Sequence, residues 1–92
     1  MLSPAYTRQF RKDLKKLEKS GNKDIEKLKT AVSLLIDEKP LFATHRDHSL
    51  SGNYKGRREC HIEPDWLLVY NIDKKAGEIV FERTGSHSDI FE

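Results

Sequence analysis

Two connections in the second half of the chain constrain its fold more than anything else in the sequence. Three segments rich in β-branched, aromatic and aliphatic residues, Gly56 to Ile62, Trp66 to Ile72 and Glu78 to Thr84, are joined only by EPD (residues 63–65) and DKKAG (residues 73–77). A parallel pair needs a crossover of about a dozen residues or more, so links this short dictate an antiparallel meander. The first half reads with a different period. Thr7 is placed to N-cap a helix that repeats Phe10, Leu14 and Leu17 on one side and stops near Ser20 and Gly21. Asn22 then caps a second helix carrying Ile25, Leu28, Val32, Leu35 and Ile36 on one side, closed by Pro40. Two antiparallel helices cannot cover their own apolar stripes, and the meander is the surface available to them. The expected fold class is therefore α+β: two N-terminal helices packed on one face of a small antiparallel sheet, the other face free. Residues 1–6 are a candidate fourth strand, which Pro4 confines to a sheet edge.

A chain of 92 residues has room for one core, so residues 1–92 are read as a single domain. Its single cysteine, Cys60, excludes an intramolecular disulfide and the Cys-rich zinc patterns, which fits a reducing compartment and a cytoplasmic location. The apolar runs VSLLI and WLLVY are far below spanning length and the N-terminus lacks a signal-peptide pattern, so no membrane association is expected. A formal charge of +2 argues against a general nucleic-acid coat. Its placement matters more: Arg8, Arg11, Lys12, Lys15, Lys16, Lys19, Lys23, Lys27 and Lys29 crowd one stretch. That stretch is either the solvated face of an amphipathic helix or a docking surface for RNA phosphates or an acidic partner.

The last strand ends in RTGSH, residues 83–87, which puts a fixed cation, a glycine and a histidine where core packing needs none of them. By simple alternation Arg83 shares a face with Ile79 and Phe81 and lies opposite Leu67, with His61 beside that row. An unpaired charge on an apolar face is costly, so something anionic is expected at Arg83. Gly85 permits the positive φ that would fold His87 back toward it. Pro64 stiffens the turn between His61 and Asp65. His45, in a polar loop, reads as solvated. A metal hydrolase built from His45, Asp47, His48, His61 and Asp65 is the competing chemistry, but the spacing matches no helical zinc motif and a cation would leave Arg83 redundant or repelled.

Residues 47–70, DHSLSGNYKGRRECHIEPDWLLVY, and residues 81–91, FERTGSHSDIF, closely resemble the YafQ branch of the RelE superfamily of toxin ribonucleases from bacterial toxin–antitoxin systems. The DH-x-L, H-x-EPDW and ER-x-G-x-H…F elements occur in order, and the resemblance spans essentially the whole chain. It implies a RelE-like fold, cleavage of messenger RNA on the ribosome, and neutralisation by a small RelB- or DinJ-like antitoxin. Operator DNA would be bound only through the antitoxin complex. Carried over by motif, the functional positions are His48, His61, Asp65, Trp66, Arg83, His87 and Phe91.

The chemistry of RNA cleavage fits those residue types. RNA brings its own nucleophile, the 2′-hydroxyl, so Cys60 need not take part and neither metal nor organic cofactor is required. A base must take the 2′-OH proton, an acid must protonate the leaving 5′-oxygen, and a cation must stabilise the phosphorane. Imidazole, with a free pKa of about 6.5, suits the first two services, and guanidinium suits the third. On this reading His87 is the general acid, Asp65 orients a neighbouring histidine or serves as base, and His48 and His61 share the base role. Trp66 and Phe91 could stack on unpaired bases; Trp66, which opens a buried strand, fits core packing equally well, whereas Phe91, near a terminus, is less easily placed in a core. The alternative is a non-catalytic RelE-fold module that binds RNA or antitoxin.

Overall fold

The structure, a computed structural model, describes residues 1–50 and 56–91; the SGNYK part of the 47–70 motif, residues 51–55, lies outside the described residues. In chain order the elements are β1 (Ser3–Tyr6), α1 (Arg8–Ser20), α2 (Ile25–Ile36), a 3₁₀ turn (Ala43–His45), β2 (His48–Ser49), β3 (Arg58–Glu63), β4 (Trp66–Asp73), β5 (Glu78–Gly85) and α3 (His87–Phe91). The sheet order is β1-β5-β4-β3-β2. The meander β3-β4-β5 and the short edge strand β2 are antiparallel, as the connection lengths require, while β1 pairs parallel with β5 at the far edge. Pro4 accordingly sits on an edge.

The helix signals resolve locally. Thr7 caps α1, its Oγ1 accepting from the Phe10 N–H at 3.0 Å while donating to the Glu82 carbonyl at 2.9 Å, so one side chain both starts the helix and ties it to β5. Such a cap is worth about 1 kcal/mol. Gly21 closes α1 with φ of 70°. The second cap is Asp24, whose carboxylate accepts from the Glu26 N–H; the expected cap, Asn22, lies in the turn before it. An aspartate at that position also favours the helix dipole, which an asparagine would not. Helix α2 ends at Ile36, well ahead of Pro40.

Phe10, Leu28, Ala31 and Leu35 meet Cys60, Ile62, Trp66, Leu68, Tyr70, Ile79 and Phe81 in the main core between helices and sheet. The opposite face is only partly free. Leu67 and Val69 form a second small cluster there with Ile90 of α3, and Leu50 packs against it. The C-terminal turn of helix thus folds back over the sheet.

One irregularity sets the position of Arg83. Between Tyr70↔Phe81 and Val69↔Arg83 the β4–β5 register shifts, leaving Glu82 as an extra residue on β5. A bulge of this kind reverses side-chain alternation beyond it. Arg83 therefore lies opposite Val69 on the open face rather than sharing the apolar helix face with Phe81, and Leu67 pairs with Gly85 instead. Simple parity, which carried the sequence-based placement, fails here for that reason.

Candidate active site

Strand pairing lines up the open face. His48 pairs with Glu59, Glu59 with Val69, and Val69 with Arg83, forming one row; His61, Leu67 and Gly85 form the next. Pairing across strands places side chains of one row on the same side of the sheet. His48, Glu59, His61 and Arg83 consequently share the open face.

The edge carrying His48 is anchored by its neighbour. Asp47 accepts from Arg58 Nη2 at 3.0 Å and from the Tyr70 hydroxyl, and the Leu50 N–H donates to the Arg57 carbonyl at 2.8 Å. Burial, followed by the bond to Asp47, holds the Tyr70 phenol above its ordinary range, and Asp47 likewise raises Arg58. These bonds give the DH pair a division of labour: the aspartate fixes the loop and the histidine faces out.

Both histidines of this edge are oriented the same way. His48 Nδ1 lies 2.8 Å from the Arg46 carbonyl and His61 Nδ1 lies 3.3 Å from the Pro64 carbonyl. A carbonyl oxygen can only accept, so each Nδ1 carries its hydrogen and the chemistry is left to Nε2. The two Nε2 atoms converge on Oε2 of Glu59, at 3.0 Å from His48 and 3.4 Å from His61. Glu59 is 4% exposed, so this carboxylate is held between two imidazoles with little water around it. Sequence reading passed over Glu59. Its alternation with Cys60 and Ile62, both in the core, already places it beside His61, but a strand glutamate draws no notice by itself.

A second acid–base pair faces them. Asp65, in the turn after β3, accepts from His87 twice at Oδ1, from ring Nδ1 at 2.8 Å and from the backbone N–H at 3.0 Å. The backbone bond, then the ring bond, lower the Asp65 carboxyl below its usual value. Ring centroids of His61 and His87 are 5.9 Å apart, those of His48 and His61 are 6.1 Å apart, and Phe91 lies 6.2 Å beyond His87. Gly85 makes this closure feasible: its φ is 154°, and an added Cβ would stand 3.1 Å from the Asp89 carboxylate. Asp89 in turn accepts from the Ser86 N–H while Ser86 Oγ accepts from the Asp89 N–H, each at 3.1 Å, closing a capping box at the start of α3.

The anion expected at Arg83 is present. Arg83 donates through Nε and Nη2 to Asp13 of α1 at 2.8 and 3.2 Å, and through Nη2 to the Asp89 carbonyl at 3.3 Å. Asp13 also accepts the Thr84 N–H at 3.1 Å. A side chain from α1 thus orients the guanidinium, which in turn reaches α3.

The remaining expectations divide. Phe91 is 38% exposed beside His87, as a stacking platform must be. Trp66 is not brought to the site: it is 1% exposed, packs in the main core, and spends its indole N–H on Thr84 Oγ1 at 3.0 Å. Opening a central strand on the helix face, it has no ring surface to offer a base. His45 is buried rather than solvated, its Nδ1 accepting from the Phe42 N–H at 3.2 Å, because it closes the 3₁₀ turn. Burial pushes the Cys60 thiol up to about 12, so it stays protonated and unreactive. Of the groups that could hold a metal, His48, Glu59 and His61 offer ligand atoms within 4.8 Å of one another; His45, Asp47 and Asp65 do not belong to that set.

A small α+β chain whose open sheet face carries three oriented imidazoles on two carboxylates and an anchored arginine belongs, by comparison with known proteins, among the bacterial toxins of type II toxin–antitoxin systems. The model of the family described as "Bacterial toxin of type II toxin-antitoxin system, YafQ" matches residues 2–92, and the chain belongs to that family. The mRNA interferase toxin YafQ of Escherichia coli K12 is 45% identical over 87 residues, 94% of this chain and 91% of that one. A crystal structure of a metal-bound toxin from Helicobacter pylori superposes with a TM-score of 0.92 at 43% identity, covering 99% of this chain and 100% of that one. The toxin chain in a crystal structure of the E. coli DinJ–YafQ complex gives 0.87 at 41% identity, covering 100% of both chains.

Proposed function

We propose that this chain is an mRNA interferase: an endoribonuclease that cuts messenger RNA on the ribosome by attack of the 2′-hydroxyl on the adjacent phosphate, restrained by a DinJ-like antitoxin. The observation that carries the reading is the approach of a triad, His48 and His61 on Glu59, to a pair, His87 on Asp65, across about one phosphate's width of open sheet.

His48 and His61 share the base role: with each Nδ1–H given to a backbone carbonyl, the contacts of the two Nε2 atoms with Glu59 Oε2 need a proton within the group, and the Nε2 that does not carry it takes the proton of the 2′-hydroxyl. His87, its Nδ1 hydrogen bonded to Asp65, presents Nε2 to the leaving 5′-oxygen as general acid. A carboxyl lowered by its bonds to His87 is a weak base, so Asp65 acts as the orienting group. Arg83 faces the charge that develops on the phosphorane, and Phe91 stacks on an unpaired base. The atom balance is that of a transesterification: the 2′-oxygen bonds to phosphorus, the 5′-oxygen leaves with a proton from His87, and the 2′-proton passes to the His48–Glu59–His61 group.

No metal is needed for these steps. An ion bound by His48, Glu59 and His61 would occupy the same Nε2 atoms that move protons, and would therefore oppose the reaction. The resemblance of the chain to a metal-bound toxin makes this a property to measure.

Primer extension on messenger RNA after induction of this chain, with and without ribosomes, tests the proposal. Discrete new 5′ ends that depend on ribosomes support it; intact messages with normal translation would establish a binding module instead. Replacing the cleavage-site ribose by deoxyribose abolishes cutting if the 2′-oxygen is the nucleophile, and cutting of the deoxy substrate refutes the scheme.

A further inference from the structure

The proposed active site leaves most of the basic run along residues 8–29 without a role. Part of that run lines a cleft of about 380 Å3 that follows the flank of α1 to the end of β5, with Gln9, Lys12, Lys16, Asn22, Lys23 and Arg83 in its walls. Arg83 belongs to both places, since its strand partner Val69 also pairs with Glu59, the neighbour of His48. A strand of RNA whose scissile phosphate sits by Arg83 can continue directly into the cleft.

We infer that this cleft is a second phosphate site, in which Lys12, Lys16 and Lys23 hold the RNA backbone beside the phosphate being cut; the inference rests on the ribonuclease reading. Lys12 and Lys16 are four apart on α1 and so project from one face about 6 Å apart, and Lys23 comes from the turn between the helices.

The charges in the cleft are arranged to receive an anion. Its carboxylates are committed: Asp13 accepts from Gln9, Arg83 and the Thr84 N–H, and Asp89 accepts from the Ser86 N–H. Two of its ammonium groups, those of Lys12 and Lys16, are loosely held. Lys16 lies 3.6 Å from Asp89 with its side chain 76% exposed and Lys12 has no acidic partner among the described residues, whereas Lys23 is half-buried, 3.6 Å from Glu63 and 5.6 Å from the centroid of the Trp66 ring, and is the most firmly placed of the three. An exposed pair as long as Lys16–Asp89 contributes little and yields readily to a phosphate.

The chemistry of the lining favours RNA over an acidic protein segment. Leu17 is the large apolar side chain in the cleft, where a protein partner would need a pocket for an aromatic or aliphatic anchor. Apolar lining is found instead on the other flank of α1, in the groove of Phe10, Leu14, Leu28 and Val32.

Binding of a short all-deoxy single strand of mixed sequence, measured by fluorescence anisotropy across a salt series, tests the site without requiring cleavage. Each of Lys12→Gln, Lys16→Gln and Lys23→Gln is expected to weaken binding and to flatten the plot of log affinity against log salt by about 0.7 for every phosphate that is no longer neutralised. Lys12→Arg restores both, and inorganic phosphate competes with the wild type. The double variant Lys74→Gln/Lys75→Gln, in the β4–β5 turn at the other end of the sheet, controls for net charge. Salt slopes of the cleft variants no flatter than that control overturn the inference, as does loss of antitoxin affinity with oligonucleotide binding unchanged. Failure of the protein to cut RNA while the cleft variants still flatten the slope would sink the ribonuclease reading and leave the phosphate site standing.

Discussion

Asp65 accepts two hydrogen bonds from one residue, His87, through the backbone N–H at 3.0 Å and ring Nδ1 at 2.8 Å. The pair therefore joins the β3–β4 turn to α3 and aims an imidazole in the same stroke. Its carboxyl is lowered, first by the backbone bond and then by the ring. A depressed carboxyl adds stability that is present above its unfolded value of about 3.9 and is lost as pH falls through the folded value. Protection of the His87 amide, its exchange rate relative to that of the unfolded chain at the same pH, is accordingly expected to fall below about pH 3.9. In Asp65→Asn that acid step disappears; persistence of the step in the variant would place its origin elsewhere.

His87→Ala is expected to lower kcat by about 10²–10⁴, with a much smaller change in substrate affinity, because a general acid acts on the leaving group and not on ground-state binding. His87 is exposed, so the variant should keep the thermal midpoint of the parent apart from the loss of its bonds to Asp65. A variant that merely unfolds would mean that the residue serves the fold.

Trp66 and Phe91 separate core from surface. Trp66→Ala removes a side chain 1% exposed and is expected to cost about 3–5 kcal/mol of stability. Phe91→Ala, from a side of α3 that is 38% exposed, should change stability little and weaken RNA binding by about 1–3 kcal/mol if its ring stacks on a base. Chemical denaturation and oligonucleotide binding measured on both variants distinguish the two; a Phe91→Ala protein with unaltered RNA affinity removes it from the site.

The fold was legible where it depends on local period and link length. Thr7, Gly21, the two helix stripes and the meander all follow from spacing, and so does the return of the tail at Gly85, since a glycine between a strand and a histidine-bearing segment permits a turn that other residues resist. The face of Arg83 was not legible, because one extra residue at Glu82 reverses alternation and leaves no mark in composition. Glu59 escaped for another reason: its importance comes from His48, which reaches it across a strand pair that no local pattern announces. Trp66 was open between core and site, its motif surrounding residues that do face the site while its place at the start of a buried strand points inward, and the core reading is the one the fold takes.

Gly85→Ala strains the hinge in two ways, through its φ of 154° and through a Cβ placed 3.1 Å from the Asp89 carboxylate. A loss of about 1 kcal/mol or more is expected, concentrated in α3 and therefore in the position of His87. Combining it with Asp89→Ala removes the carboxylate oxygen at 3.1 Å but leaves the residue 89 Cβ at 3.2 Å and the backbone strain, and it also removes the capping box, so the double variant should not recover activity. Full recovery would show that contact with the carboxylate alone matters.

Zinc or copper titrated into the active protein should inhibit it, because His48, Glu59 and His61 present ligand atoms within 4.8 Å of one another and the same imidazole nitrogens must move protons. EDTA should then leave the untreated enzyme's rate unchanged and reverse the inhibition. Removing one ligand separates this from nonspecific precipitation: His48→Ala weakens metal binding, read by calorimetry on the folded protein, and leaves the residual activity less sensitive to added ion. The opposite pattern, with activity abolished by EDTA and restored by zinc, would assign these residues to a metal-activated water and overturn the acid–base scheme. The carbonyl bonds at each Nδ1 would suit metal-ligating imidazoles as well as proton-transferring ones; what argues against that outcome is Arg83, which lies in the row of Glu59 and His48, where a phosphate already has its counter-charge.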